Sequence, residues 1–176
     1  YNEKNWRILP RQAVHDSSSV TYPVFTAIAA PEVQNKLNGD FAIIAGPYLQ
    51  NLATGGCELD YTLTFVSEKF ISMVFFGVLD EGEKEIFAKI PLNIDVQTGA
   101  QLALGDVLNL RDADLLPVLR LLTKKDKVDF SKGIPESWYY NGTNFVFCQR
   151  SETGEWLEAT VAASDLKKFL LKPELF

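Results

Sequence analysis

The stretch that decides the fold runs from Cys57 to Val96 and reads CELDYTLTFVSEKFISMVFFGVLDEGEKEIFAKIPLNIDV. Its first segment alternates apolar and polar residues, its second is apolar at nearly every position from Phe70 to Leu79, and its third alternates from Ile86 to Val96. Alternation is typical of a half-buried strand, and a continuous apolar run is typical of a central strand covered on both faces. Polar turns at Ser67–Lys69 and Asp80–Glu83 separate the segments. The stretch therefore predicts three consecutive strands of an antiparallel sheet.

Helices are predicted on both sides of this stretch. Apolar residues recur at spacings of three and four from Val33 to Leu52, which predicts an amphipathic helix that begins near Pro31. Because Pro47 removes a backbone donor, we expect a kink or a break near Ala45. A second apolar stripe predicts a helix from about Leu115 to Lys124.

A β-hairpin is predicted in the carboxyl-terminal part of the chain. Asn141 and Gly142 lie between two aromatic-rich runs, and Asn-Gly is the strongest short signal for a hairpin. A two-residue loop pairs Tyr140 with Thr143. It also places four aromatic side chains on one face: Trp138, Tyr140, Phe145 and Phe147.

Shorter signals complete the predicted fold. Val20–Ala27 is typical of a strand, His15–Ser19 of an exposed loop, and Leu102–Leu104 of a short returning strand. Ser164 or Asp165 can cap a last helix. We therefore predict an α+β fold with one antiparallel sheet of about five to seven strands and helices packed mainly on one face.

The composition predicts one compact unit. The chain has 176 residues, 47% of them hydrophobic, which is enough for one sizeable core or for two small lobes that share an interface. We expect 1–176 to form a single unit with two lobes, about 20–90 and 91–172. The first lobe holds a helix and the three-stranded stretch, and the second holds a short strand, a helix, the hairpin and the last helix.

Charge and hydropathy exclude several classes of partner. The net charge of −6 argues against nucleic acid, because phosphate binding requires a clustered basic surface. No window of about twenty residues is apolar enough to span a bilayer. Since the chain begins at Tyr1 without Met, we expect that an upstream signal peptide, anchor or neighbouring region has been removed.

The two cysteines, Cys57 and Cys148, permit one disulfide in an exported chain. Cys57 is in phase with core-facing residues, and Cys148 lies in an apolar run. Two separate buried thiols explain the pattern equally well, because a free cysteine behaves as a small hydrophobic residue.

The sequence predicts no catalytic site, no cofactor site and no metal site. It has no phosphate-binding glycine loop, no nucleophile elbow and no His/Cys spacing for zinc. Asp80–Glu85 could offer oxygen ligands to Ca²⁺, but a solvated hairpin turn explains this acidic run better. A carboxylate pair for glycoside hydrolysis stays open as an alternative, because the separation of two carboxylates is a three-dimensional property.

A series of motifs in the second half resembles a known family. The motifs are Asn93–Gly99, Gln101–Leu108, Ile134–Tyr140 with Asn144–Phe147, and Asp165–Leu170. The series is similar to a bacterial extracytoplasmic domain of unknown function, found beside the catalytic domain of a peptidoglycan deacetylase and as the outer domain of a lysozyme-sensing anti-sigma factor. The residues from Tyr22 to the strands after Cys57 look like the module that usually precedes it.

This resemblance implies an α+β domain outside the cytoplasm, secreted or anchored as a lipoprotein. It does not imply deacetylation, because that chemistry belongs to a separate metal-binding domain. The leading hypothesis is a non-catalytic binding or sensing domain of the cell envelope, whose partner is a cationic protein such as a lysozyme or a wall glycan. The alternatives are a carboxylate-based hydrolase of wall glycan and a structural or targeting module of a larger surface protein.

Candidate partner-binding residues lie on two predicted turns. They are Asn141 and Gly142 of the hairpin, and Glu152 and Glu155 with the neighbouring Trp156, because recognition concentrates on loops carried by a rigid sheet. An acidic surface favours a cationic partner through electrostatic steering.

A glycan site would need exposed aromatic side chains. Tyr139, Trp6 and Trp156 are the candidates for that role.

Overall fold

The computed structural model describes residues 6–80, 82 and 84–176. Glu81 and Glu83 of the acidic run considered for Ca²⁺ lie outside the described residues. In chain order the helices are α1 (Pro31–Asn51), α2 (Leu104–Val107) and α3 (Leu115–Leu122). The strands are β1 (Arg7–His15), β2 (Ser18–Thr26), β3 (Cys57–Val66), β4 (Phe70–Asp80), β5 (Glu85–Asp95), β6 (Ala100–Gln101), β7 (Ser137–Tyr140), β8 (Asn144–Arg150) and β9 (Trp156–Ala162).

The strands form two sheets. One has six strands in the order β1-β2-β3-β4-β5-β6, and the other has three in the order β7-β8-β9. The predicted α+β class is confirmed, but the prediction of one wholly antiparallel sheet is wrong. β2 runs parallel to β3, with Ser19 opposite Glu58 and Val20 opposite Leu59, because the chain returns to the sheet through α1.

The loop predicted at His15–Ser19 is shorter in the structure, where only Asp16 and Ser17 lie outside the strands. β1 and β2 form an antiparallel hairpin that pairs Arg7 with Thr26 at one end and His15 with Ser18 at the other. The turn is therefore only two residues long, and its first residue, Asp16, has a positive φ of 49°. Ser18 is buried and accepts a hydrogen bond from the Cys57 N–H.

Helix α1 is continuous, and the expected break near Ala45 does not occur. Pro47 lies inside the helix, whose buried residues are Val33, Leu37, Phe41, Ala45 and Tyr48. Because this buried face continues on both sides of Pro47, packing outweighs the single backbone donor that the proline removes.

The chain divides into two compact units. Unit 1 holds the residues through Thr62 with Val74–Ile90 and Val96–Gly99, and unit 2 holds Leu63–Met73, Pro91–Asp95 and Ala100–Phe176. The two units interleave along the sequence, because strands β3, β4 and β5 supply residues to both. Whether 1–176 unfolds as one unit with lobes 20–90 and 91–172 stays a prediction.

Unit 1 has an aromatic core under α1. The ring of Phe41 is 5.7 Å from that of Phe25 and 6.1 Å from that of Phe75, centroid to centroid. Tyr48 packs directly above Gly77 of β4, where a Cβ atom would overlap the phenol ring. This glycine therefore permits the close approach of helix and strand.

Unit 2 has its own core, and its short elements differ from the prediction. Leu104 begins the one-turn helix α2 instead of continuing a strand, and α3 ends at Leu122, which is exposed. The predicted last helix is a 3₁₀ segment, Ala163–Phe169, followed by a second one at Pro173–Leu175. The buried residues of the first segment are Leu166 and Phe169.

In the part of the chain that the structure describes, no helix is both long enough and apolar enough to cross a membrane.

Candidate functional site

The hairpin of β7 and β8 exists, but its register differs from the prediction. Tyr140 lies opposite Phe145 and Trp138 opposite Phe147, so three residues, 141–143, connect β7 to β8 instead of two. The Asn141 Oδ1 accepts hydrogen bonds from the backbone N–H groups of Thr143 and Asn144, which stabilises the longer loop. Because the register moves by two residues, the four aromatic side chains still share one face, and all four are buried there.

The structure separates the two predicted partner-binding turns. Asn141 and Gly142 lie where β7 joins β8, and Glu152 and Glu155 lie where β8 joins β9. Consecutive turns of an antiparallel meander lie at opposite ends of the sheet. Since β8 is seven residues long, the turns are separated by about 20 Å.

The second turn is an exposed acidic tip. The side chain of Glu152 is almost fully exposed, and its Oε1 lies 3.9 Å from the Lys132 Nζ. Glu155 is also exposed, and its backbone N–H donates a hydrogen bond to the Ser151 Oγ. The backbone of the turn is therefore fixed while its carboxylates remain accessible.

The face of the β7-β8-β9 sheet that is turned away from the aromatic core carries a distinct set of side chains. We call it the outer face, and its members include Ser137, Tyr139, Val146, Cys148, Trp156, Glu158 and Thr160. Cys148 and Val146 on the central strand are buried, Glu158 and Thr160 are exposed, and Tyr139 and Trp156 are partly exposed. The face thus presents two aromatic residues and a carboxylate on a rigid support.

Glu158 is the polar centre of the outer face. Its Oε1 accepts a hydrogen bond from the Tyr139 hydroxyl at 3.1 Å and lies 3.8 Å from the Cys148 Sγ. Burial raises the pKa of the Tyr139 phenol well above its usual value, and the charge of Glu158 raises it further. Tyr139 is therefore a neutral hydrogen-bond donor at physiological pH.

Trp156 lies at the other end of the outer face. It is opposite Arg150, whereas Tyr139 is opposite Val146, so the two aromatic residues are about 14 Å apart along the strands and about 10 Å apart across them. The Trp156 Nε1 is buried, and no acceptor in the described part of the chain binds it. Trp6, the third aromatic candidate, is buried and presents no platform.

A groove of about 340 Å³ borders the free edge of β7. It is lined by Pro91, Leu92 and Asn93 of β5, by Gln101, Leu102 and Ala103, and by Glu136, Ser137 and Trp138. Ser137 belongs both to this groove and to the outer face. The groove therefore adjoins the outer face at Ser137.

Side chains from β4 and β5 hold the free edge of β7. The Tyr140 N–H donates to the Ser72 Oγ at 2.8 Å, the Ser72 hydroxyl donates to the Asn93 Oδ1 at 2.7 Å, and the Asn93 Nδ2 donates to the Trp138 carbonyl at 2.7 Å. Ser72 and Asn93 are both buried. The alternation of residues from Ile86 to Val96 predicts Asn93 on the polar face of its strand. Asn93 is instead buried, because its side chain makes the hydrogen bonds of this network.

A second depression, of about 240 Å³, contains two carboxylates. It is lined in part by Asp126 and Asp129. The Asp126 Oδ2 accepts from the Thr160 N–H, and hydrogen bonds from Ser131 lower the pKa of Asp129. Asp129 therefore stays ionised, which does not suit the general acid that the alternative of a carboxylate-based hydrolase requires.

Metal and thiol chemistry depend on clusters of metal-ligating side chains and on the state of the two cysteines. Among the described residues, no group of three or more His, Cys, Asp or Glu side chains could hold a metal ion. Cys57 and Cys148 are both buried, and neither forms a disulfide bond in the structure. The Cys57 thiol donates to the Tyr48 carbonyl at 3.3 Å.

Comparison with known proteins places the fold. No family model and no curated protein matches the sequence. A DUF3298 family structure from Bacteroides fragilis NCTC 9343 superposes with a TM-score of 0.66 over 94% of this chain and 92% of that one, at 12% identity. A second DUF3298 family protein, from Pseudomonas aeruginosa PAO1, gives a TM-score of 0.59 over 97% and 95%, also at 12% identity.

The chain shares the fold of DUF3298 proteins. The coverage extends over nearly the whole length of both chains. The sequence motifs indicated a likeness to a bacterial domain of unknown function, and the shared fold supports that likeness. At 12% identity, these two structures show a shared fold and do not show a shared function.

Proposed function

We propose that this chain is a non-catalytic binding domain of the bacterial cell envelope, and that its outer face binds wall glycan. One observation carries the proposal: Tyr139 and Trp156, both partly exposed, lie on either side of the exposed Glu158 on a single sheet face. Aromatic rings provide a large, rigid apolar surface for the faces of sugar rings. A carboxylate provides the acceptor that sugar hydroxyl groups need.

The dimensions of the outer face favour a chain of sugars over a single one. The aromatic residues are separated by about 14 Å along the strands, so one small ring cannot contact both. The sheet fixes their spacing, which lowers the entropic cost of binding an extended ligand.

The envelope location is supported by the resemblance of the motifs to extracytoplasmic domains. In this proposal the chain is secreted or carried on an anchor supplied from outside the described part of the chain. Only that resemblance connects this chain with the peptidoglycan deacetylase and the anti-sigma factor.

A cationic protein such as a lysozyme is the second candidate partner. The net charge of −6 and the exposed carboxylates of Glu152 and Glu155 favour it through electrostatic steering. Such binding weakens strongly as salt increases, because the charges involved are exposed. Glycan binding by aromatic stacking depends much less on salt.

The experiment measures sedimentation of the protein with purified, insoluble cell wall, and titration with lysozyme, at low and at high salt. We expect the protein to bind wall, and we expect the affinity at high salt to stay within about twofold of the affinity at low salt, because aromatic stacking is not a charge interaction. Glu158→Gln and Trp156→Phe test the outer face, and Glu68→Gln is a matched control at an exposed turn of unit 2. We expect the first two substitutions to weaken wall binding and the control to leave it unchanged.

Three results would change the assignment. Wall binding that survives in the folded Glu158→Gln and Trp156→Phe proteins would move the site away from the outer face. Salt-sensitive binding to lysozyme without binding to wall, lost on reversing the charges of Glu152 and Glu155, would favour the second candidate. Release of soluble sugars from wall would contradict the non-catalytic assignment.

A further inference from the structure

Trp138 lines the groove beside β7, and among the described residues no hydrogen bond occupies its backbone N–H. The Asn141 N–H donates to the Asn144 carbonyl, so the pairs that are hydrogen-bonded along the hairpin are 141/144, 139/146 and 137/148. Trp138 and Tyr140 therefore direct their N–H and C=O groups away from β8. The Tyr140 N–H and the Trp138 C=O are taken by Ser72 and Asn93, whereas the hairpin pairing does not use the Trp138 N–H.

This pattern excludes the addition of a peptide strand to β7. Strand addition requires a row of free N–H and C=O groups along the edge. Here the Ser72 and Asn93 side chains already occupy two of these groups, and both side chains are buried and bonded to each other. The Trp138 N–H and the Tyr140 C=O are the other two groups on this edge, and they are too few for a strand ladder, but the Trp138 N–H is enough to bind one carbonyl oxygen.

The groove combines that donor with an apolar lining and a polar rim. Leu92, Leu102 and Trp138 are buried and supply apolar surface, while Glu136 is exposed and supplies a carboxylate. Its volume of about 340 Å³ suits a small group or a single sugar residue. An acetamido group matches these features, because its carbonyl can accept from the Trp138 N–H while its methyl group contacts the apolar lining.

We propose that this groove is a subsite for the N-acetyl group of a wall amino sugar. The inference rests on the proposed function, because Ser137 belongs to both the groove and the outer face and thereby connects them. A glycan chain bound beside Tyr139 and Glu158 would place one acetamido group in the groove. The domain would then distinguish acetylated from non-acetylated glycan.

The test compares two neutral tetramers that differ at one position of each sugar. They are β-1,4-linked N-acetylglucosamine and β-1,4-linked glucose, so charge is not a variable. We expect the acetylated tetramer to bind at least about tenfold more tightly, the size of effect expected when a desolvated donor is left without its acceptor. In a ¹⁵N-labelled protein, the backbone amide of Trp138 should shift on addition of the acetylated tetramer alone.

A pair of alanine substitutions provides the matched control. Ala103 is exposed and lines the groove, so Ala103→Trp fills it, whereas the equally exposed Ala113 does not line it. We expect Ala103→Trp to reduce the ratio of the two affinities to about one and Ala113→Trp to preserve it. If Ala103→Trp fails to fold, the Trp138 amide shift in the unmodified protein decides the question.

The outcomes separate the subsite from the proposed function. Equal binding of the two tetramers, or an unshifted Trp138 amide in the saturated complex, would overturn the subsite and leave glycan binding by the outer face intact. Absence of binding to both tetramers and to purified wall would overturn both proposals. A Trp138 shift produced by a wall peptide without sugar would reassign the groove to a peptide carbonyl and overturn the acetamido assignment.

Discussion

Replacement of Ser72 by alanine tests the network that holds the edge of β7. The Ser72 hydroxyl accepts from the Tyr140 N–H at 2.8 Å and donates to the Asn93 Oδ1 at 2.7 Å, and the residue is fully buried. Ser72→Ala therefore leaves one donor and one acceptor buried without partners. Each such group costs about 1–3 kcal/mol, so we expect the free energy of unfolding to fall by about 3 kcal/mol.

Urea denaturation measures this change, provided that the transition is two-state and the slope with urea is the same in both proteins. Ser164→Ala is the matched control, because Ser164 is exposed, and we expect a change within about 0.5 kcal/mol. Asn93→Leu breaks the same network from the other side. Because the two substitutions share partners, their combined effect should be smaller than the sum of the single effects by about 1–2 kcal/mol.

A loss of less than about 0.5 kcal/mol in Ser72→Ala would refute the reasoning, because two buried groups cannot lose their partners at so small a cost. Strict additivity with Asn93→Leu would refute it in another way. It would mean that the two side chains stabilise the protein independently and form no network.

Other predictions concern packing, ionisation, thiols and the unity of the fold. Gly77→Ala should lower the free energy of unfolding by about 1–3 kcal/mol, because the new methyl group overlaps Tyr48. Gly39 is an exposed helical glycine with open space around it, so Gly39→Ala should raise the free energy of unfolding by about 0.5–1 kcal/mol. Thermal unfolding measures both changes. Because the pKa of Tyr139 is raised in the folded protein, the stability that Tyr139 contributes is complete below the ordinary tyrosine pKa and is lost as the pH rises through the folded pKa. Alkaline ultraviolet titration should show that Glu158→Gln lowers the pKa of Tyr139. An unchanged titration would contradict the contact between Tyr139 and Glu158. Thiol titration without reductant should find two thiols in denaturant and almost none in the folded protein, and finding none in denaturant would mean that Cys57 and Cys148 form a bridge. A fragment of residues 1–90 should show no cooperative melting, because β3, β4 and β5 each contribute to both units, and a sharp thermal transition of this fragment would contradict a shared fold.

The elements that could be predicted from the sequence are those that local pattern determines. The three strands after Cys57, the start of α1 at Pro31 and the hairpin at Asn141 follow from spacing and turn chemistry over a few residues. Pairing between distant segments could not be predicted in this way. The parallel contact of β2 with β3 and the division into two sheets depend on tertiary packing that no local window contains.

Asn93 illustrates the same limit within the candidate site. By alternation it belongs to the polar face, and a polar residue is ordinarily expected in solvent. Its partners, Ser72 and the Trp138 carbonyl, lie 21 and 45 residues away in sequence. A short-range pattern cannot indicate a buried hydrogen bond over that separation, and for this reason the groove beside β7 was not predicted.

Trp156 and Tyr139 were recognised as candidates because aromatic residues in short strands of alternating pattern can face either side. The structure supplies what was missing, namely the register that places both on one face with Glu158 between their rows. The acidic turn at Glu152 and the loop at Asn141 are neighbours in sequence, but they lie at opposite ends of this sheet. A meander separates such neighbours by the length of its central strand.

The parallel pairing of β2 with β3 also affects the order in which the chain folds. A β-hairpin such as β1-β2 closes within a few residues and forms in microseconds, because little chain entropy is lost. β2 and β3 can meet only after the chain between them has been ordered, and that chain contains all of α1. We therefore expect the buried stripe of α1 to dock on β2 before β2 and β3 pair, because this docking brings Cys57 to Ser18.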